Sequence, residues 1–563
     1  MIKYRITAFL TACSMAAALC SCSMSSENSS SADVRSASSS EESSQSETAE
    51  DSSEETSGFE LPDDIPEEYL DVAEVKNSEN LKELRSHISA LFDHLDESGN
   101  DKAIEEDIGL LLDDFDMLYE ISAKKMVAHY LDWNNSQLED EYDDSDEDVQ
   151  IAASLLDFAF GIGWHSDEYG DLFEDLYSGD DEDEFDENID DPDTALALHE
   201  IRSRVDFAEN DSLLDEYHSL RFNDELSKEE ELRCAEIYLD ILSDYDAETF
   251  YDEYYRDYTG EEITELSKTI RESMLPVLTE IMLAWVDEYQ KVMDMDIPDD
   301  SDPLPLIRKY APQLSDNISN AINGLIDEKL YYIAEGENCY NVSFMEYLPA
   351  SKKAFIYINP ENGALSASVH EFGHYYASTY DTIPSYLSTN NVDIAETQSQ
   401  GLELLFSRFY DDIYGEAGEE ERLNILYELT YAAITGFLIG EFEYNVVKNK
   451  DTYTPEDVLK CWEDIVGSHQ PLNLYEINHV FECPGYYIGY GVSALAAFQV
   501  WEDGLYDPDE AVRKYENIAK ISCNDKDYQF RSALEKAGFN DVLDKAYIKN
   551  LAEEIKDYIK DIK

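Results

Sequence analysis

The chain has 563 residues, with 128 Asp and Glu against 39 Lys and Arg, a formal charge of −89 at pH 7. Binding of phosphate backbones or anionic bilayers relies on Lys and Arg displacing counterions, so a nucleic-acid partner is excluded. A hydrophobic fraction of 43%, with 40 Tyr and 22 Phe, equally excludes a disordered acidic polymer; at this length two lobes or domains are expected, with sequence enough for a deep cleft.

Residues 1–22 read as a targeting segment. Lys3 and Arg5 supply its positive start, and Ile6 to Leu19 is an apolar run too short to remain as a membrane span. Leu19-Cys20-Ser21-Cys22 resembles the bacterial lipoprotein signal. That makes Cys22 the lipidated N-terminus and places the protein on the outer side of a bacterial membrane; the alternative is plain signal cleavage beside an incidental Cys. Residues 23–58 are almost entirely Ser, Glu, Asp, Thr and Ala, without an aromatic, so they cannot offset the entropy of ordering and form a disordered tether. A helical lobe over 59–335 and a catalytic lobe over 336–563 follow. The five remaining thiols, Cys234, Cys339, Cys461, Cys483 and Cys523, are scattered and include no Cys-x-x-Cys pair, which gives no support to a disulfide framework or a cysteine metal site.

From Phe59 to Leu330 apolar residues recur three and four apart, as in Leu81, Leu84, Ile88, Leu91 and Leu95 and again in Ile237, Leu239, Ile241 and Leu242, the period of helices buried on one face. Two acidic stretches, Glu139 to Asp148 and Asp180 to Asp193, read as solvated loops; neither has the spacing of a calcium-binding helix-loop-helix. After Tyr340 the texture changes. Asn341 to Phe344 and Ala354 to Ile358 are β-branched and aromatic, and Pro349, Pro360 and Gly363 bound them, which predicts a small antiparallel sheet. The second of these segments could pair with a substrate backbone as an edge strand.

The next segment is helical in spacing and contains His370-Glu371-Phe372-Gly373-His374. Histidines four apart project from one helix face and can bind one metal ion, and Glu371 between them can take the proton of a water held by that ion. One Zn2+ per chain suits imidazole ligands and a position left open for water; the competing reading is a chance match on a buried helix. A catalytic zinc needs a third protein ligand. Glu396, 22 residues beyond His374 on a second helix that follows Ser388-Thr389-Asn390-Asn391, can return antiparallel and supply it. Ser399, Gln400 and Glu403 share its helical face and are candidates to orient the ligands.

His370-Glu371-x-x-His374 followed by Glu396-x-x-Ser399-Gln400-x-x-Glu403 resembles the zinc site of the thimet oligopeptidase and oligoendopeptidase F family, and His479 with Tyr486-Tyr487-x-x-Tyr490 is similar to a further segment of its bacterial members. The resemblance implies a mainly α, two-lobed fold with a deep central channel, and cleavage of short oligopeptides within their length. Ala377, Gly489 and Thr397-Gln398 depart from the family pattern without removing a ligand or the base.

Zinc peptide hydrolysis also needs donors aimed at a developing oxyanion. His479, Tyr486 and Tyr490 are candidates, the two tyrosines sharing one helical face, with Tyr487 turned elsewhere and Gly485, Gly489 and Gly491 letting the loop close. The expected protein is a monomeric, lipid-anchored zinc oligopeptidase drawing in cationic peptides. The rival is a surface lipoprotein that binds peptides with a peptidase-like fold and does not catalyse.

Overall fold

The computed structural model describes residues 81–562 apart from 167, 175, 178–191, 222–225, 293–301, 335–337, 361–363 and 471. The targeting segment, Cys22, the tether and most of the second acidic stretch lie outside the described residues.

The molecule is mainly helical. Helices α1 (Leu81–Leu95), α2 (Asp101–Leu131) and α3 (Ser136–Trp164) are followed by α4 (Pro192–Arg221), α5 (Lys228–Ile241) and α6 (Gly260–Val292). The periodicity of α1 places Leu81, Leu84, Ile88 and Leu91 in the interior with no exposed surface. The acidic stretch Glu139 to Asp148 is not a loop: it forms the first half of α3. Asn135 caps that helix by accepting from Gln137 N at 3.2 Å, and one face of the stretch is covered, with Ser145 and Asp148 buried ahead of Val149, Ile151 and Ala152. Glu is a good helix former, and acidic residues in the first turns suit the helix dipole.

Two main cores divide the chain. One runs from Leu81 to Leu196; the other begins at Tyr217, near the end of α4, and continues to Ile559. The cores therefore part within α4, well before the boundary expected at 335. Helix α6 buries Ile263, Ile270, Met274, Val277 and Ile281 completely, in the same core as the C-terminal helices. The change of texture near Tyr340 marks the sheet, not a change of core.

After α7 (Pro303–Tyr310) and α8 (Asp316–Glu328) come β1 (Tyr331–Ile333), β2 (Phe344–Leu348) and β3 (Lys353–Ile358). β2 and β3 form an antiparallel pair, in register Phe344 with Tyr357 and Leu348 with Lys353; the second strand falls where the sequence suggests, but the first begins only at Phe344, where the expected segment Asn341 to Phe344 ends, and runs on to Leu348. β1 adds to the other side of β3 in parallel. The order β1-β3-β2 makes β3 central, so the strand expected to offer an edge to substrate has both sides occupied, and β2 is the outer strand beside it.

The chain then enters α9 (Ala364–Ser378) and α10 (Val392–Phe406). Further on come α11 (Tyr410–Tyr414), α12 (Gly418–Asn449), α13 (Pro455–Trp462), α14 (Asn478–Glu482) and α15 (Ile488–Tyr506), and last α16 (Pro508–Ala519), α17 (Phe530–Ala537) and α18 (Lys545–Ile562). Helices α9, α10, α12 and α15 pack together at the centre of the larger core.

Candidate active site

Helix α9 carries His370, Glu371 and His374. Helix α10 starts at Asn391, whose side chain accepts from Ile394 N at 3.2 Å while its Nδ2 donates to Tyr255 O at 3.0 Å. Both the local cap and a distant anchor thus fix where α10 begins, and with it where Glu396 falls one turn later.

The two helices touch backbone to backbone at Gly373. A Cβ there would lie 2.7 Å from Ser399 Cα and 3.0 Å from Gln398 O, closer than any side chain allows. That approach lets a short carboxylate on one helix reach two imidazoles on the other. His370 Nε2 lies 3.2 Å from His374 Nε2 and 3.4 Å from Glu396 Oε2, and His374 Nε2 is 3.8 Å from Glu396 Oε1. Ligands about 2.0–2.1 Å from a tetrahedral zinc stand about 3.4 Å apart, so the three side chains lie near the separations such an ion requires, with His374 and Glu396 the widest pair. Among the described residues they form a set whose donor atoms all lie within 4.8 Å of one another.

Glu403, two turns further along the same face of α10, accepts from His370 Nδ1 at 2.6 Å, which leaves Nε2 of that ring for an ion. Burial opposes charge on His370, but this hydrogen bond and the carboxylates of Glu403, Glu396 and Glu371 outweigh it and raise its pKa to about 10. Burial, helped by the charge on His370, lowers that of His374. Ser399 Oγ donates to Glu396 Oε2 at 3.2 Å. Gln400, expected to act alongside it, instead accepts from Ser493 Oγ of α15 at 3.1 Å. Glu371 is fully buried on α9 between the two histidines.

His479 lies on the short α14, and Tyr486 precedes α15, which carries Tyr490. Their rings gather, with centroids 5.7 Å apart for His479 and Tyr486, 6.2 Å for His479 and Tyr490, and 5.9 Å for the two tyrosines. Tyr487 does not turn away: its ring is 6.0 Å from His479 and 5.3 Å from Tyr490. Burial lowers the His479 pKa to about 4, so its ring is neutral near pH 7, and its buried Nε2 has no hydrogen-bond partner among the described residues. Tyr486 lines a cavity together with His374 and Glu396; the same cavity takes in Met345, Glu346 and Tyr347 of β2, Tyr119 of α2 and Asp381, and no described Lys or Arg. Burial raises the pKa of Glu346 to about 8.

The glycines expected to give the loop freedom divide. Gly485 has a φ of 87° and is the turn residue proper. Gly489 and Gly491 sit inside α15 and serve packing: a Cβ on the first would meet Val392 at 2.8 Å and Asp393 Oδ1 at 3.0 Å, and one on the second would meet Gly436 and Phe437 at 3.2 Å.

Sequence reasoning missed Arg256 and Asp393. Both side chains are fully buried, with Arg256 Nη2 2.9 Å from Asp393 Oδ1. The only signal was compositional, an Arg inside the aromatic run from Phe250 to Tyr258.

Solved structures share the overall fold. PZ peptidase A with an inhibitor superposes over 87% of this chain and 99% of its own, with a TM-score of 0.63 at 15% identity. The chain has the oligoendopeptidase F fold. A structure described as an oligoendopeptidase F covers 87% of this chain and 98% of its own at TM-score 0.61, and one from Bacillus anthracis covers 86% and 97% at 0.62, each with 15% identity. No family model and no curated protein matches the sequence.

Proposed function

We propose that the protein is a zinc-dependent oligopeptidase that hydrolyses internal bonds of short peptides. The observation that carries this reading is the set His370, His374 and Glu396, its donor atoms within 4.8 Å of one another, beside the buried Glu371 in a fold shared with peptidases. The ion these residues would hold is Zn2+, which as a Lewis acid polarises the scissile carbonyl and acidifies water. Glu371 accepts the proton of the attacking water and returns it to the leaving amine. Glu403 holds the His370 ring in the tautomer and orientation a ligand needs. The hydroxyls of Tyr486 and Tyr490 and the neutral ring of His479 supply donors to the oxyanion as it forms. An extended peptide adding to the outer edge of β2 would run past His374 and Glu396, held by its backbone without a sequence requirement. Asp381 on the wall of this cavity favours cationic side chains. The N-terminal segment supports a further proposal, that Cys22 is lipidated and the enzyme acts on the outer face of a bacterial membrane; palmitate labelling of wild type but not of Cys22→Ala checks it.

Metal content of the purified protein, with the cut sites in a peptide library read by mass spectrometry, tests the activity. One zinc per chain and cleavage within short peptides, abolished by a chelator, is the expected result. Stoichiometric zinc without any cleavage would mean a binding protein.

A further inference from the structure

We propose that Arg256 is a positioning residue that fixes the loop carrying Tyr486 against the first turn of α10, and so sets the donor hydroxyl relative to the ligand Glu396; this rests on the peptidase reading. Arg256 lies between α5 and α6, yet its guanidinium joins two segments more than a hundred residues away. Nε donates to Asp393 Oδ1 and Oδ2 at 3.2 and 3.1 Å, and Nη2 to Oδ1 at 2.9 Å. The remaining donors turn to the loop, Nη1 to Gly485 O and Nη2 to Tyr486 O at 3.3 Å. Asp393 stands three residues ahead of Glu396, so one planar group spans the start of the ligand helix and the backbone of Tyr486.

The surroundings hold that group in one orientation. Tyr258 Oη donates to Asp393 Oδ2 at 2.7 Å. Arg256 stands 4.6 Å from the ring centre of Tyr254 and 5.4 and 5.7 Å from those of Tyr251 and Tyr258. The loop is held from two further sides: Tyr254 Oη donates to Pro484 O at 3.1 Å and Gly485 N to Glu443 Oε1 at 2.8 Å. A Cβ at Gly489 would lie 3.3 Å from Arg256 Nη2 as well as pressing on Asp393, so the missing side chain there makes room for the pair.

Stability alone is a poor reason for such a pair. Desolvating two charges cancels much of their attraction, and apolar residues of equal volume often do as well. What an apolar cluster lacks is direction. A guanidinium with fixed donors sets the distance between two backbone segments, and a displacement of about 1 Å at a reacting centre can cost about 100-fold in rate.

Arg256→Lys keeps the charge but cannot serve Asp393 and two carbonyls together. In the metal-free protein, hydrogen exchange at the amides of Gly485 and Tyr486 should quicken at least tenfold while those of α9 stay unchanged. In the zinc enzyme kcat should fall about 10- to 100-fold, with KM within about twofold and metal content equal to wild type. Combined with Tyr486→Phe, the loss should be no larger than that of the more damaging single change, because both act through one hydroxyl. Tyr258→Phe, which removes only the hydroxyl on Asp393, should show the same pattern at smaller size and serves if Arg256→Lys fails to fold. Unchanged exchange at Gly485 and Tyr486, or losses that multiply in the double variant, overturns the inference. A zinc-loaded wild type that cuts no peptide overturns the peptidase reading instead, and the exchange measurement still judges the clamp.

Discussion

Gly373→Ala puts one methyl group between the two helices that carry the candidate metal ligands. Its Cβ would lie 2.7 Å from Ser399 Cα, a backbone atom with no rotamer to change. Ordinary contact requires about 3.5 Å, so α9 and α10 must part by about 0.8 Å. Metal sites tolerate about 0.2 Å in ligand distance, and Glu396 is the ligand that moves with α10. Overpacking of this kind costs about 1–3 kcal/mol of fold stability, and a displaced carboxylate should weaken zinc binding about 10- to 100-fold, the range seen when ligand support is lost. Competition with a chromophoric chelator gives the zinc affinity, and denaturant unfolding of the metal-free protein gives the stability. Gly109→Ala on α2 is the control: nothing lies within 4 Å of its Cβ position, and Ala there should stabilise by about 0.5–1 kcal/mol through helix propensity. Wild-type zinc affinity in Gly373→Ala would refute the view that helix contact sets the ligand spacing.

Glu371→Gln should keep full zinc and lose turnover, because an amide cannot accept the proton of water, whereas Glu396→Ala should lose metal and activity together; metal analysis beside a quenched-peptide assay distinguishes them, and zinc loss in the first variant would make Glu371 a ligand. Acid should weaken the fold through His479. Its pKa is lowered to about 4 by burial against about 6.5 unfolded, so the unfolded chain takes up the proton first, and about 3 kcal/mol of stability disappears as pH falls from 6.5 to 4. The stability gap between wild type and His479→Gln, measured in urea, should therefore narrow on acidification; a constant gap would mean a ring that titrates normally. With −89 formal charges, kcat/KM for Lys- and Arg-containing peptides over acidic ones should be largest at low salt and shrink toward 0.15 M, where the Debye length is about 8 Å. A preference unmoved by salt would come from contacts in the cavity beside Asp381.

The gathering of His370, His374 and Glu396 was legible because its signal is local: a four-residue spacing on one helix, and a second helix at a distance that permits a return. The direction of Glu403 toward His370 follows from the same periodicity. What escaped depends on tertiary approach. Gly373 looks like an ordinary helix glycine until Ser399 is placed against it. Arg256 and Asp393 are 137 residues apart, and no local pattern joins them. Strand β1 is three residues long, too short for alternation to register, so its parallel pairing and the central place of β3 could not be foreseen. The acidic stretch of α3 was misread because charge repulsion was weighed against helix propensity without knowing that α3 would have a covered face.

The passage of α6 through the larger core bears on how the gene can be divided. A fragment beginning at 336 would hold every candidate ligand and donor, but it would leave behind the helix that buries Ile263, Ile270, Met274, Val277 and Ile281, along with Arg256. Expressed alone it would open a greasy furrow along α12 and aggregate, whereas a start before Tyr217 keeps that core whole. A division that respects both cores thus falls between Leu196 and Tyr217, far from where the composition of the sequence changes.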